Sequence, residues 1–258
     1  MFSRLLGAGL VAATLVSGAA AAQLPNARER ARAPYDEGLA HMRNEALDKA
    51  AKSFDQAIAI DPGFEMAYYM LGRVQLAQRN YASAVYSLQK SRDLFQADAT
   101  SAATNKQERQ SVIRERLADI EQLIIDTRAA AAHPQNSARQ GLLLEQVRQY
   151  EERRRQLQDL DRNDVMTVSQ AVPGFVSLSL GSAYFRAGKL QEAERAYLAA
   201  VTADAKIGEA HSNLAVLYMQ TGRLDEAEKA VKAAEKAGLR VNPALKDEIK
   251  KRKKAGSY

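Results

Sequence analysis

Apolar residues recur at intervals of three and four along the stretch from Gly174 to Ile207, and the same intervals return from Gly208 onward. Such spacing places the apolar side chains on one face of an α-helix. A glycine inside each copy, Gly188 and Gly222, marks a tight turn between two helical segments. The matching positions are Leu180 and Leu214, Gly181 and Ala215, Tyr184 and Tyr218, Ala193 and Ala227, Tyr197 and Val231, and Ala200 and Ala234. The pattern therefore predicts two successive helix–turn–helix units.

Two further copies of this spacing begin at positions 31 and 65, which are as far apart as the starts at positions 174 and 208. The first contains Gly38, Ala50, Phe54, Ala57 and Pro62, and the second contains Tyr68, Leu71, Gly72, Ala84 and Leu88. With these four units the chain resembles the tetratricopeptide repeat family, whose unit is a helix–turn–helix of ~34 residues. The resemblance covers about half of the chain. It implies an all-α solenoid of stacked helix pairs, and such arrays usually bind other proteins.

Side-chain size gives these shared positions a physical reason. A small residue on the first helix, such as Gly38, lets the second helix approach closely. The second helix has its own small residue, such as Ala50, and a large one four positions later, such as Phe54. One helix pair cannot bury its apolar face alone, so neighbouring pairs must stack. An unrelated bundle with ordinary heptads is the alternative, and the agreement of all four units argues against it.

The middle of the chain follows a different pattern, because the distance between the starts at positions 65 and 174 is not a multiple of the repeat length. Apolar positions there step by three and four, as in a repeat of about 3.5 residues. They form two series around the turn His133-Pro134-Gln135-Asn136, namely Ile113, Leu117, Ile120 and Ile124, and then Leu143, Val147, Tyr150, Arg154 and Leu157. This spacing is typical of a coiled-coil seam, and the turn predicts a long antiparallel hairpin inserted between two repeat pairs.

Charge supports the hairpin, since residues 105–164 carry eleven basic and eleven acidic side chains, interleaved. A mixed pattern of this kind belongs on the solvated flanks of packed helices. The hairpin either folds within one chain or pairs two chains as a homodimer. Arg154 lies on the seam, and its charge would be unfavourable in the core of a long dimer. This favours the hairpin that folds within one chain.

The predicted organisation has five parts: a signal peptide at 1–22, a repeat pair at 23–98, the coiled-coil hairpin at 99–170, a second repeat pair at 171–242, and a capping helix with a basic tail at 243–258. Within the first pair, Asp61-Pro62 ends the first unit because proline lacks the N–H of a continuing helix. The second unit has no closing proline, and Ser91 stands where alanine is usual. Its second helix is therefore expected to run further than the others.

The segment 1–22 has the layout of a secretory signal peptide. Arg4 supplies a positive start, Leu5–Val16 is apolar, and Ala20-Ala21-Ala22 offers a cleavage site before Gln23. A membrane anchor is the alternative, but the apolar run is shorter than the ~20 residues that span a bilayer. We therefore expect a periplasmic or secreted protein cut after Ala22, with no transmembrane segment after cleavage.

The sequence contains few residues or motifs that would support catalysis or metal binding. There is no cysteine, which excludes disulfides, thiol catalysis and cysteine metal sites. The three histidines, His41, His133 and His211, are far apart, and the motifs of metalloproteases, serine hydrolases and phosphate-binding loops are absent. The prediction is a chain that is not an enzyme and that holds no cofactor and no metal.

The resemblance instead implies a binding groove on the concave side, which the first helices of the repeats line. A row at i, i+4 and i+7 beside the small-residue face defines the candidate groove. It comprises Tyr35, Leu39, Met42, Tyr69, Arg73, Leu76, Leu178, Ser182, Phe185, Ser212, Val216 and Met219. Tyrosine, methionine and arginine are enriched at interface centres, so the row suits a partly apolar peptide or partner helix. The competing interpretation is that several of these residues pack beneath the hairpin or a neighbouring pair.

The net charge of +6 is concentrated near the C-terminus, where residues 243–258 alone carry six basic and two acidic side chains. The run Lys250–Lys254 either complements its own helix dipole or contacts anionic lipid or an acidic protein; export argues against nucleic acid. Two functions follow. The favoured one is an exported scaffold that binds a protein or peptide partner through the concave surface. The alternative is an envelope-associated structural protein that docks through its tail or through dimerised hairpins.

Overall fold

The computed structural model describes residues 26–100, 106–163 and 172–255, and its regular structure there is entirely helical. The predicted signal peptide, 1–22, lies outside these ranges, as do parts of the predicted hairpin segment 99–170. Eleven α-helices are present in the described residues: α1 Ala27–Arg43, α2 Leu47–Ile60, α3 Glu65–Ala77, α4 Tyr81–Thr100, α5 Lys106–Ala132, α6 Gln140–Asn163, α7 Gly174–Arg186, α8 Leu190–Ala203, α9 Gly208–Gln220, α10 Leu224–Lys236 and α11 Pro243–Ala255. A 3-10 helix, Pro134–Arg139, connects α5 to α6.

The four repeat units are the helix pairs α1–α2, α3–α4, α7–α8 and α9–α10, and their close packing depends on the small residues. A Cβ placed on Gly38 would lie 2.6 Å from the Phe54 ring, and one on Gly181 would lie 2.5 Å from the Tyr197 ring. At Gly72 the same atom would meet Leu88 at 2.6 Å. The predicted roles of the small residue and of its large partner are therefore confirmed.

The turn within each unit needs a residue with positive φ at one fixed position. Gly188 and Gly222 supply it in the last two units, each with φ of 76°. The equivalent positions in the first two units hold Glu45 and Arg79, with φ of 55° and 62°. These two residues adopt a backbone conformation that favours glycine.

The units stack on one another despite the insertion. Helix α2 packs on α3, α8 packs on α9, and α4 packs directly against α7, which lies beyond the hairpin in the chain. Helix α11 lies against α10 and buries Ile249, in the position of a capping helix. The first and second repeat pairs thus form one continuous stack, and the inserted segment leaves it and returns.

The insertion folds as an antiparallel hairpin within the chain. Arg154 of α6 pairs with Glu121 of α5 at 2.9 Å, and Glu151 of α6 pairs with Arg128 of α5. An earlier residue of one helix thus meets a later residue of the other, so the two helices are antiparallel. The predicted seam residues Ile120, Ile124, Val147 and Tyr150 are buried, as are Ile113 and Leu157. Arg154 is half-buried at the edge of the hairpin: its Nη1 atom donates to the exposed Glu121, whereas its Nε atom is buried without a hydrogen-bond partner in the described residues.

Helix lengths agree with two of the expectations. Helix α4 has 20 residues, whereas α2 and α8 have 14 each. The second helix of the second unit is therefore longer than its equivalents, as predicted. Helix α5 has 27 residues and α6 has 24, so the hairpin is long, as predicted. Within the three described ranges, none of the helices is both long and apolar enough to cross a bilayer.

Candidate binding cavity

The hairpin lies along the first helices of the repeats, on the face predicted to be the groove. Arg28 of α1 reaches Glu115 of α5 at 3.2 Å, and Arg43 at the end of α1 reaches Asp126 of α5 at 2.6 Å. Between them Arg32 contacts Asp119. Helix α5 therefore follows α1 for most of its length through a series of ion pairs.

Helix α6 makes the corresponding contact with α3 and α7 through aromatic side chains. The Tyr150 hydroxyl lies 3.2 Å from the Tyr69 hydroxyl, and Nη1 of Arg73 donates to the Tyr150 oxygen over 3.3 Å. The Phe175 ring stands edge-on to both tyrosines, at centroid distances of 4.9 Å and 5.2 Å. This cluster joins the hairpin and the repeats in one apolar core.

Several predicted groove residues are consequently covered. Tyr35 and Tyr69 expose 1% and 2% of their surface, and Leu39 and Leu178 are also buried. Tyr35 packs between the rings of Phe54 and Phe64, at 5.7 Å and 4.7 Å. The interpretation that part of the row packs beneath the hairpin holds for Tyr69, and Tyr35 belongs to the core of its own repeat. In this arrangement the two tyrosines do not face a partner.

The other part of the row borders an open cavity of about 880 Å³ between the repeats and the tip of the hairpin. Five predicted residues line it: Met42, Arg73, Leu76, Ser182 and also Leu178, which is largely buried but borders the cavity with its small exposed surface. The opposite wall comes from the hairpin and includes Asn136, Arg139, Leu143 and Gln146. The remaining four, Phe185, Ser212, Val216 and Met219, are half-buried and do not border the cavity. The structure thus brings the middle of the predicted row together and separates its two ends.

The cavity wall carries more positive than negative charge. Arg73, Arg79, Arg139 and Arg186 line it, against the carboxylates of Glu45 and Glu209. Across the described ranges, none of these four arginines has a carboxylate within 4.0 Å, whereas the arginines between α1 and α5 are all paired.

Arg73 and Glu209 are the most enclosed charges of the wall. Burial acts to lower the pKa of Arg73, but the neighbouring Tyr150, Tyr69 and Glu209 outweigh it, so the pKa is raised above its usual range. Burial raises the pKa of Glu209, against the opposing attraction of Arg73 and Arg139. The Oε2 atom of Glu209 is buried and has no hydrogen-bond partner in the described structure.

A second group of charges lies where α1, α3 and α5 meet. Asp119 of α5 exposes only 2% of its surface, contacts Arg32, and faces Glu65 and Glu115. Burial raises the pKa of the Asp119 carboxyl from 3.8 to about 7, although Arg32 opposes the shift. The place where the hairpin docks therefore contains a carboxyl group that titrates near neutral pH.

Four residues of this region were not predicted as site residues: Arg79, Arg139, Arg186 and Tyr150. Arg79 and Arg186 would have been found by extending the row one turn, since they follow Leu76 and Ser182 by three and four positions. Tyr150 could also have been singled out, because it is the one aromatic residue among the predicted seam positions. Nothing in the local pattern around Arg139 indicates which element it faces. In the described ranges no group of three or more acidic or histidine side chains is placed to hold a metal ion.

Comparison with known proteins gives one strong match. The family model described as tetratricopeptide repeat matches residues 6–65, 35–99 and 178–238, which together make up more than half of the chain. The first match begins inside the predicted signal peptide. The middle of the chain, which holds the hairpin, is unmatched, and no curated protein matches the sequence.

Solved structures with similar helical arrangements include three from proteins of low sequence identity. PilW, described as a widely conserved type IV pilus biogenesis factor, is 14% identical, with 87% of this chain and 86% of that chain covered and a TM-score of 0.40. YrrB, described as having an unusual peptide-binding site, is 18% identical, with 86% and 92% covered and a TM-score of 0.29. MamA is 19% identical, with 78% and 94% covered and a TM-score of 0.26.

Proposed function

Since the chain belongs to the tetratricopeptide repeat family, we propose that it is an exported, non-catalytic scaffold that binds one segment of a partner protein. The binding site is the cavity between the repeats and the tip of the hairpin. One observation carries this proposal: the cavity of about 880 Å³ is lined by five residues of the row that the repeat pattern marks as the concave surface.

The shape of the site limits what it accepts. Its volume is near the upper end of the ~300–1,000 Å³ that ligand pockets usually have, so a short peptide segment fits and a folded domain does not. Met42, Leu76 and Leu178 offer apolar contact, while Ser182 and Asn136 offer polar groups. A mixed lining of this kind suits an extended segment with both side-chain types.

Export is proposed on the sequence of the segment 1–22. A positive start at Arg4, the apolar run Leu5–Val16 and the alanines before Gln23 together have the order of a cleaved signal peptide. Intact-mass analysis of the protein from its host tests this, and the expected mature species begins at Gln23. A mature species that retained the segment 1–22 would contradict export by this route.

A photo-crosslinking residue at Ala77, which is exposed on the cavity wall, tests the binding site. The control is the same residue at Tyr86 of α4, which is 59% exposed and lies outside the cavity. We expect one partner to be crosslinked from position 77 and not from 86, with the crosslink mapping to a single short segment. A synthetic peptide of that segment should then bind the purified chain. Identical crosslinked species from both positions would contradict the proposal.

The alternative function, docking through the basic tail or through paired hairpins, has weaker support. Lys253 in the tail is held by Asp225 and Glu228 of α10, each at 2.7 Å, and Arg252 pairs with Glu248. Part of the positive charge therefore stabilises the helix that closes the stack. The hairpin seam is likewise buried within a single chain.

A further inference from the structure

The charges on the cavity wall indicate what kind of segment the site accepts. We infer that the cavity selects an acidic segment, whose side-chain carboxylates pair with Arg73, Arg79, Arg139 and Arg186. This inference rests on the proposed function and adds to it the chemical class of the partner.

The four arginines come from four different elements. Arg73 lies on α3, Arg79 in the turn before α4, Arg139 in the 3-10 helix of the hairpin, and Arg186 at the end of α7. They therefore surround the cavity from the repeats and from the insertion. A single carboxylate, such as a chain terminus, would reach one or two of them, whereas acidic side chains along a segment would reach more.

These four cavity arginines differ from the arginines between α1 and α5, where the hairpin docks. At the contact between α1 and α5, Arg28, Arg32 and Arg43 all have carboxylates within reach. Arg186 and Arg139 are exposed, and exposed arginines are normally satisfied by water. Arg73 differs, because its side chain is partly enclosed and one of its five N–H donors makes a described hydrogen bond, to Tyr150. Its other donors make no hydrogen bond within the described residues, and the side chain borders the cavity.

Glu209 shows that the site already attracts a carboxylate of its own. It lies on the cavity wall and interacts favourably with Arg73 and Arg139, yet its Oε2 atom has no hydrogen-bond partner in the described part of the chain. Arg73 and Arg139 are therefore close enough to attract Glu209, but neither forms a salt bridge with it in the described residues. Because Glu209 competes for the same cations, its removal should strengthen the binding of an acidic segment.

Apolar side chains between the arginines define the rest of the segment. Met42, Leu76, Leu143 and Leu178 line the same cavity. A segment in which acidic and apolar residues alternate would place carboxylates near the arginines and side chains such as leucine against this apolar surface. This composition defines the probe.

The probe is a short fluorescent peptide of alternating glutamate and leucine, acetylated and amidated so that it has no terminal charge. Its matched control has glutamine in place of glutamate. Fluorescence anisotropy with the full chain should show tighter binding of the glutamate peptide, by about ten-fold or more. The difference should shrink as salt is added, because ion pairs at a partly open site are screened.

Four variants, one of them a control, locate the effect. Arg139→Gln and Arg186→Gln should each weaken the glutamate peptide by about ten-fold, since a hydrogen-bonded charge is lost. Arg195→Gln, an equal change of charge on the exposed face of α8 outside the cavity, should leave its affinity unchanged. Glu209→Gln should raise the affinity several-fold. Circular dichroism checks that each variant keeps its helices.

Equal affinity for the two peptides, or no binding of the glutamate peptide, would overturn the acidic preference. The same conclusion follows if only a glutamine peptide with a free C-terminus binds, because the carboxylate would then come from a chain end. These outcomes leave the proposed function standing if crosslinking from position 77 still maps to one partner segment. Loss of that position-specific crosslink would instead remove the proposed function itself.

Discussion

At Gly181 the space that a side chain would need is already occupied by the ring of Tyr197. Replacing Gly181 by alanine would put a Cβ 2.5 Å from that ring, so the two helices of the third unit must separate or the ring must move. We expect Gly181→Ala to lower the free energy of unfolding by about 1–3 kcal/mol. Gly141 in α6 is the control, because a Cβ there meets nothing within 4 Å. Chemical denaturation should show Gly141→Ala to be neutral or stabilising by up to ~1 kcal/mol.

At Glu45, in the turn of the first unit, a substitution by glycine is expected to stabilise the chain. Its φ of 55° is costly for a residue with a side chain, and the equivalent positions of the last two units hold glycine. Glu45→Gly should therefore raise the free energy of unfolding by about 0.5–1 kcal/mol. The same substitution at Glu37, exposed within α1, should lower it by about 1 kcal/mol, because glycine is unfavourable inside a helix. Thermal denaturation of both variants checks the prediction, and a loss of stability at both positions would contradict it.

Asp119 makes stability depend on pH near neutrality. Its pKa is about 7 in the folded chain and 3.8 as the ordinary value, so between these limits the folded chain holds a proton that the unfolded chain has released. Stability should therefore be highest below about pH 4 as far as this group is concerned, fall as the pH rises, and level off above about pH 7. The total loss is a few kcal/mol at most, at ~1.4 kcal/mol per pKa unit.

Denaturation between about pH 5 and pH 7.5 isolates this effect from Glu228, whose pKa is lowered to about 2 by hydrogen bonds from Lys253 and Lys232 and whose contribution is lost only in acid. Asp119→Asn should flatten the profile, leaving a smaller slope of the same sign from Glu209, whose pKa burial also raises. An unchanged profile in the asparagine variant would exclude Asp119 as the source.

On the scale of elements, the contact between α6 and α3 rests on hydroxyl groups as well as on rings. Tyr150→Phe would leave the Tyr69 hydroxyl and one donor of Arg73 without their described partner. We expect a loss of about 1–3 kcal/mol in the free energy of unfolding. Tyr69→Phe combined with Tyr150→Phe should cost less than the sum of the single changes, because the two hydroxyls form one pair.

Tyr35→Phe is the matched control for this contact. The Tyr35 hydroxyl is buried and has no hydrogen-bond partner in the described structure. Removing it should be neutral or stabilising by about 1 kcal/mol, since an unpaired buried hydroxyl carries a desolvation cost. Equal losses from Tyr35→Phe and Tyr150→Phe, measured by denaturation, would show that the hydroxyl pair has no special role.

The two kinds of element differ in how far the sequence determines their environment. The repeat helices were predictable because small residues such as Gly38 and Gly72 mark which helix packs against which. The hairpin helices were predictable as helices, and their seam at Ile120 and Val147 was also evident. Their docking was not, because the periodicity records which side of a helix is apolar and not what covers it. Asp119 illustrates this point, since a carboxylate on the flank of a hairpin reads as solvated and here is buried against α1.

On the scale of the whole molecule, the candidate site combines what the sequence predicts with what it leaves open. Arg73 and Ser182 were predicted on one face because they share a repeat position, and Leu76 because it follows Arg73 by three residues on the same helix; all three border the cavity. The opposite wall depends on the path of the long insertion, and local spacing contains no information about that path. Arg139 faces the repeats only because the hairpin returns along the stack.

The position of the hairpin also bears on how the molecule yields to force or heat. In an ordinary repeat array each unit contacts only its neighbours, so the array is elastic and its terminal units can unfold separately. Here α5 is bound to α1, α6 contacts α7 and α9, and the two helices are bound to each other. The hairpin therefore connects the first repeat unit to the last two. Neither a change in the curvature of the stack nor local unfolding of the first unit can occur without breaking contacts that lie far along the chain. Amide hydrogen exchange in α1 and α9 should therefore report one shared, cooperative opening.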